Sequence, residues 1–301
     1  SHIRDRFGLQ SEAEITLEMN PESQQDLAAL RRAGFNRLSL GLQTTDNAKL
    51  RKLGRLHAYE GFLKTYKVAR AAGFENISID LMVALPDQTL DDVALDLERI
   101  LALEPEHISC YSLILEEGTP FGERLEQGVA PLPSDEVERE MVHQVTETLQ
   151  AHGYVHYEIS NYAKPGYRSA HNLNYWNILP YYAVGPGASA FVQGKRLMHP
   201  RDVTKYIATW NKAHDPFDCL VLEEQLSLED AATELVIFQI RILDEGFSLS
   251  DYEARFGPLA PWRREVFERQ VENGFMEWTG EGWRLTEQGA DFADAIAREL
   301  L

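Results

Sequence analysis

Only two cysteines, Cys110 and Cys219, occur among 301 residues, and they lie far apart. That excludes a disulfide framework and a closely spaced set of thiolate metal ligands. It suits a reducing cytoplasm. Long apolar runs are missing too: none approaches the roughly 18 residues that a membrane span needs. Basic residues are scarce, 29 Lys and Arg against 48 Asp and Glu, for a net charge of −19. Nucleic-acid binders need a basic surface, so this balance argues against such a partner. There are no internal repeats and no low-complexity tracts. No signal peptide is visible, and the start, Ser1-His2-Ile3-Arg4-Asp5, reads as the edge or middle of a longer chain. What is present is an ordinary globular composition, 44% hydrophobic and 26% charged. The length suits two folded units better than one.

From residue 14 short apolar runs alternate with helical patterns. The runs predict strands at Glu14–Glu18, Arg37–Gln43, Asn76–Val83, His107–Leu113 and His156–Ile159. Helices are expected between them, at about Pro21–Ala33, Thr45–Leu53, Tyr59–Ala72, Leu90–Ala102 and Ser134–His152. Gly34 and Gly73 stand where helix stops belong. Such alternation implies parallel pairing with right-handed crossovers.

The strands agree in phase. Ile15 and Leu17 alternate with Thr16 and Glu18; Leu38, Leu40 and Leu42 with Ser39, Gly41 and Gln43; Ile77, Ile79 and Leu81 with Ser78 and Asp80. One face is aliphatic and should meet the helices. The other is small and polar and ends in Glu, Gln or Asp near the strand's C-terminal end. A doubly covered parallel sheet is apolar on both faces. A curved, TIM-barrel-like sheet with a polar inner face and its site at the C-terminal mouth fits better.

After Asn161 the character changes. Residues 162–182 read as aromatic-rich loop. Ala188–Val192 and Lys195–Met198 flank Gln193-Gly194, a hairpin signal, and Arg201–His214 reads as helix. A helix then opens at Ser227 and runs to about Leu243, another lies near Pro261–Glu272, and Phe275–Thr279 and Trp283–Leu285 flank Gly280-Glu281-Gly282. Thr286 can cap a last helix. Helices followed by a small hairpin suggest a winged helix, which in so acidic a chain reads as a structural appendage rather than a DNA reader. The expected divisions are 1–165, 166–225 and 226–301.

Four polar residues stand at the expected mouth: Glu18, Gln43, Arg55 in Leu53-Gly54-Arg55-Leu56-His57, and Asp80. Carboxylates and an amide suit hydroxyl groups such as those of a ribose. A guanidinium can grip a carboxylate with two hydrogen bonds. A buried ion pair between Arg55 and Asp80 would give the same composition.

The stretches Leu17–Pro21, Asn36–Gln43, Gly54–His57, Asn76–Gln88 and Tyr111–Pro120 resemble, in order, the radical S-adenosylmethionine (SAM) family around oxygen-independent coproporphyrinogen III oxidase and its haem-chaperone branch, the HemW type. The resemblance implies that Glu18, Gln43, Arg55 and Asp80 are the SAM-binding positions, Glu18 holding the ribose. A second block, Tyr157-Glu158-Ile159-Ser160-Asn161-Tyr162-Ala163 leading to His171-Asn172-Leu173-Asn174-Tyr175-Trp176, is similar to the HNxxYW signature of the chaperone branch. It implies haem binding by His171, Asn172, Tyr175 and Trp176. His171 can supply an axial nitrogen, and Tyr175 and Trp176 can lie against a porphyrin. These four residues equally suit a braced loop and a packed core.

Two features depart from the family. Residues 183–190 carry Ser189 and Ala190 where many relatives have a histidine. The CxxxCxxC motif that holds a 4Fe-4S iron–sulfur cluster is absent, as is the GGTP-type segment, and Cys110 and Cys219 do not supply three thiolates. SAM and the cluster are therefore expected only in an intact protein, and this chain is not expected to be catalytic alone. The expected architecture is α/β: an incomplete (βα) barrel of radical SAM type with a C-terminal α+β extension and a winged-helix-like unit. The expected function is cytoplasmic haem binding and delivery of haem to an acceptor protein. The alternatives are an oxidoreductase of the coproporphyrinogen oxidase type and a cofactor-free binding module. An open sheet edge at Glu14–Glu18 would invite self-association or cover by another segment.

Overall fold

Alternating strands and helices build the first of two units, Ser1–Arg168, in the computed structural model, which describes residues 8–23, 25–113, 132–213 and 215–301. In chain order these are β1 (Thr16–Met19), α1 (Leu27–Ala33), β2 (Arg37–Gln43), α2 (Asn47–Lys52), α3 (Tyr59–Ala71), β3 (Asn76–Val83), α4 (Leu90–Leu101), β4 (His107–Ser112), α5 (Asp135–Ala151), β5 (Val155–Glu158) and β6 (Asn161–Ala163). One sheet joins the strands in the order β1-β2-β3-β4-β6-β5. The first four are parallel, as the alternation predicts. Among the described residues β1 stands at one edge and β5 at the other.

The phase of the strands decides the core. Leu38, Leu40, Leu42, Ile77, Ile79, Leu81 and Ile108 are buried against Phe62 and Tyr66 of α3, Val93, Leu97 and Ile100 of α4, and Met141, Val145 and Leu149 of α5. Each fully buried aliphatic or aromatic side chain contributes about 1.5–3 kcal/mol relative to exposure. The opposite face is polar and internally bonded. Ser78 Oγ lies 2.8 Å from His107 Nδ1, and His107 Nε2 lies 2.9 Å from the Tyr157 hydroxyl.

Two expectations need correction. The fifth expected strand, β5, does not pair with β4. β6, read as the start of a loop, inserts between them, antiparallel to both. Residues 158–161 turn too tightly for a crossover, so only antiparallel pairing is open to them. The helix expected from Pro21 begins at Leu27, because the Asn20 carbonyl first closes a turn by accepting from the Ser23 N–H. Asp26 then caps the helix, accepting from the Ala29 N–H at 2.9 Å. The resembling stretch Tyr111–Pro120 lies outside the described residues from 114 onward, as does the start at 1–7.

The second unit is Ser169–Leu301. It opens with α6 (Ala170–Trp176), inside the stretch read as loop, followed by β7 (Ser189–Val192), β8 (Lys195–Met198), α7 (Val203–Trp210) and β9 (Val221–Gln225). β7, β8 and β9 form an antiparallel sheet. The hairpin between β7 and β8 turns at Gln193 (φ 54°) and Gly194 (φ 72°), the two positive values that a tight turn of this kind requires.

Then come α8 (Leu228–Gln239), β10 (Phe247–Ser248), α9 (Leu249–Phe256), α10 (Pro261–Glu272), β11 (Met276–Trp278), β12 (Gly282–Leu285), α11 (Glu287–Ala290) and α12 (Ala293–Glu299). Helix, strand, helix, helix and hairpin is winged-helix order, and β10-β12-β11 is its antiparallel sheet. β10 and α9 were not expected. β10 is two residues long and pairs only because Gly282 lacks a side chain: a Cβ there would lie 1.8 Å from the Phe247 carbonyl oxygen. Phe267 and Trp283 stack at 4.6 Å beneath it. No helix among the described residues is long and apolar enough to cross a membrane.

Candidate functional site

The polar residues of the first unit converge where the parallel strands end. Register places Glu18 beside Ser39 and Gly41 beside Asp80. Ser39 Oγ donates to Asp80 Oδ1 at 3.0 Å. Gly41 supplies the room: a Cβ at that position would lie 3.1 Å from Gln43 Nε2, 3.7 Å from Asn20 Oδ1 and 3.9 Å from Arg55 Nη1. The four expected residues therefore meet at one mouth. Arg55 Nη1 donates to Asn20 Oδ1 at 3.0 Å, and no ion pair joins Arg55 to Asp80.

Two of these positions are held from behind. Gln43 is buried and sits at φ 76°, a left-handed conformation rare for a residue with a side chain, next to an irregularity in the β2–β3 register. Buried Asp96 of α4 pins the turn that follows it. Its Oδ1 accepts from the Thr45 N–H at 2.7 Å, and its Oδ2 accepts from the Thr44 hydroxyl at 2.9 Å. His57, also buried, contacts the Leu42 carbonyl through Nε2 at 3.3 Å and so anchors the loop that carries Arg55. Strain stored at such a position persists only where the surroundings over-determine it, and it concentrates at functional sites.

Burial raises the pKa of Asp80, opposed by the Ser39 hydrogen bond; the nearby Glu18 charge raises it further and the Arg37 charge lowers it. Arg37 is itself buried on this face. The result is two carboxylates that accept hydrogen bonds, facing amide and guanidinium groups that donate them. Sequence reasoning missed two members. Asn20 follows Glu18 by two residues and continues the phase of β1. Tyr111 continues the phase of β4, and its hydroxyl donates to Gln43 Oε1 at 3.0 Å. Beside Arg55 a groove of about 450 Å³ opens between Asn20, Glu22, Ser23 and His57.

This donor and acceptor set fits SAM: carboxylates for ribose hydroxyls, donors for the methionyl carboxylate. An iron–sulfur cluster does not fit the residues present. Cys110 is buried on the helix-facing side of β4, and burial pushes its thiol up to about 12. A ligating sulfur must be a thiolate. Cys219 is buried in the other unit. Among the described residues no cluster of His, Cys, Asp or Glu is placed to hold a metal ion.

In the second unit α6 divides its four candidate residues between two faces. His171 and Tyr175, one turn apart, are exposed and meet edge to face at 4.7 Å. Tyr175 in turn meets Tyr181 at 4.8 Å. Trp176 turns the other way and packs on Phe238 of α8 at 5.8 Å. Asn172 lies one turn before Trp176, and its N–H donates to the capping Ser169 Oγ at 3.3 Å. The end of α6 is tied to the winged helix, Gln239 Nε2 donating to Asn177 Oδ1 at 2.9 Å and Arg255 Nη1 to the Asn177 carbonyl at 2.8 Å. An imidazole beside the exposed Tyr175 ring, itself backed by half-buried Tyr181, fits one axial nitrogen and an aromatic wall for haem. Ser189 is exposed and Ala190 buried, so neither adds a ligand. His199, on the next turn of chain, is buried between the carbonyls of Cys219 and Ala183.

Residues 2–100 match the model of the Radical SAM superfamily, and residues 226–292 match that of the HemN C-terminal domain. In fold the chain is similar to coproporphyrinogen III oxidase (HemN) from Escherichia coli, with a TM-score of 0.79 over 99% of this chain and 72% of that one. At 20% identity the likeness is one of fold alone. Fold and site thus define a radical SAM-type protein with a HemN-type C-terminal domain. The chain is 32% identical over 311 residues to the heme chaperone HemW of Escherichia coli, covering 99% of this chain and 78% of that protein. It is 36% identical over 256 residues to HemW of Lactococcus lactis, covering 84% of this chain and 66% of that protein's length. The chain belongs to the HemW family of the radical SAM superfamily.

Proposed function

We propose that the mouth of the parallel sheet binds SAM, that the His171 face of α6 binds haem, and that the protein acts as a cytoplasmic haem chaperone handing haem to an acceptor protein. The observation that carries the reading is the pairing of His171 and Tyr175 on the exposed face of α6. It is supported by relatives named as heme chaperones. Haem offers a large apolar face to the tyrosines, and ligation adds geometric selection and a spectral signature. Trp176 packs on Phe238 and supports the helix, while Asn172 stands beside the His171 face as a further haem contact. Glu18 and Asp80 accept from ribose hydroxyls, while Gln43 and Arg55, the latter braced by Asn20, hold the anionic end of SAM. SAM supplies a reactive sulfonium when bound, and no electron-transfer step is assigned to residues of this chain. The exposed edge of β1 is available to a covering segment or to a second copy.

The test is a haem titration of the protein and of its His171→Ala and Tyr175→Phe variants. The Soret band should shift on binding, and His171→Ala should alter that spectrum more than Tyr175→Phe. An unchanged spectrum in His171→Ala removes His171 as a ligand. Decarboxylation of coproporphyrinogen III by the full-length protein would overturn the chaperone reading in favour of an oxidase.

A further inference from the structure

A side-chain amide can present either its oxygen or its nitrogen, so a site built on amides has no fixed polarity until something fixes it. Two amides stand at the mouth of the sheet. Asn20 Oδ1 is occupied by the Arg55 guanidinium at 3.0 Å and stays at the edge of the site. Gln43 Oε1 is occupied by the Tyr111 hydroxyl at 3.0 Å. Its Nε2 then points to the gap above Gly41, the same gap that Asn20 Oδ1 and Arg55 Nη1 border. A flipped Gln43 would bring a second carbonyl oxygen to that gap beside Asn20 Oδ1. The Gln43 backbone cannot relax to choose, because its left-handed φ and the Asp96 anchor behind it hold the side chain at one height.

We infer that Tyr111 is a positioning residue: by occupying Gln43 Oε1 it turns the Gln43 amide nitrogen into the site, so that Gln43 Nε2 and the Arg55 guanidinium together present donors that select ligands bearing a carboxylate. The inference rests on the SAM reading and deepens it. Tyr111 is suited to the task. Burial, with the Asp80 charge, raises its pKa above the ordinary tyrosine value, so it stays protonated at neutral pH. Its hydroxyl could also accept from a flipped amide, but that would set the Gln43 oxygen against Asn20 Oδ1, so the donating arrangement is favoured. Asp80, diagonal to it across β3 and β4, can only accept while ionised, so the mouth offers donors on the Gln43 side and an acceptor on the Asp80 side. A ligand with hydroxyls at one end and a carboxylate at the other is then oriented without ambiguity.

The experiment compares the full chain with its Tyr111→Phe variant, which removes one oxygen and keeps the ring. The Gln43 side-chain amide is followed by 15N NMR without ligand. Affinities for SAM and for decarboxylated SAM are measured by calorimetry. In the variant the Gln43 amide signals should move, affinity for SAM should fall roughly fivefold to tenfold, and affinity for decarboxylated SAM should change by less than about twofold. Unmoved Gln43 signals overturn the inference, and so does an equal loss for both ligands, which a merely structural role would give. Failure of the unaltered chain to bind SAM would sink the proposed SAM site, while the ligand-free amide signals would still decide whether Tyr111 sets Gln43.

Discussion

The two candidate sites are built in opposite ways. In the first unit, residues from Glu18 to Tyr111 are drawn from four strands and a loop, and three of them are fixed by neighbours: Asp96 for the turn after Gln43, His57 for the Arg55 loop, Ser39 for Asp80. In the second unit the candidates sit on a single seven-residue helix, and one of them, Trp176, serves to hold that helix in place. A site assembled from strand ends is rigid because the sheet is rigid. A site on one short helix is rigid only as far as its docking residues make it so. Mutations should therefore separate binding from stability more cleanly in α6 than at the mouth of the sheet.

Acid gives the largest expected contrast. Burial depresses His107 well below the usual histidine value, and depresses His156 to about 4. His107 is buried and His156 half-buried in the first unit, and both are held neutral. A group whose folded pKa is lowered stabilises above its unfolded value and loses that contribution as pH falls, here between about 6.5 and about 4. His156 alone accounts for about 3 kcal/mol across that window. Asp80 and Asp96, whose pKa values burial raises, act with the opposite sign and soften the fall at its lower end. All five tryptophans lie in the second unit, so an early loss of far-UV ellipticity should precede any change in tryptophan emission. His156→Phe, which keeps the stacking on Tyr162, should flatten the slope. Coincident transitions by both probes would remove the contrast.

Within α6 the split between faces is tested by Trp176→Ala against Tyr175→Ala in denaturant titrations. Loss of the indole from Phe238 should cost about 2 kcal/mol, and loss of the exposed tyrosine ring less than about 1 kcal/mol. Haem spectra should respond in the reverse order. Equal costs would mean that the helix has no division of labour.

At the mouth, Asp80→Ala should weaken SAM binding about tenfold, or about 1.4 kcal/mol, as loss of a charged acceptor does. Affinity of the unaltered chain should rise with pH through the raised pKa of Asp80, because only the carboxylate accepts from two hydroxyls. Stability has the opposite sign: with its folded pKa raised, Asp80 stabilises at low pH and ceases to do so once ionised. Asp80→Asn should therefore melt higher at neutral pH while binding SAM less well. A calorimetric titration across pH with no slope for the unaltered chain would contradict both statements.

Much of the first unit was legible in the sequence because its strands repeat one phase. Leu38, Leu40 and Leu42 against Ser39, Gly41 and Gln43 placed the core on one side and the site on the other, and the sheet obeys that division. The alternation also located β1 to β4 within about two residues, within the usual boundary error. The motifs named Glu18, Gln43, Arg55 and Asp80, and the fold gathers all four. Residues 162–182 were illegible because β6 and α6 are short, and a three-residue strand carries no period to read.

What the sequence determined by itself was local: which residues alternate, where helices stop, and which side chains have the chemistry to bind a nucleoside or an iron porphyrin. Tertiary structure alone decided partnership. It set β6 between β4 and β5, brought Tyr111 to Gln43 and Asn20 to Arg55, and turned Trp176 inward while leaving His171 and Tyr175 outside. The physical reason is that periodicity and residue type act over a few positions of the chain. A hydrogen bond between residues 68 apart, such as that from Tyr111 to Gln43, exists only when the packing of the whole sheet has fixed the distance between them.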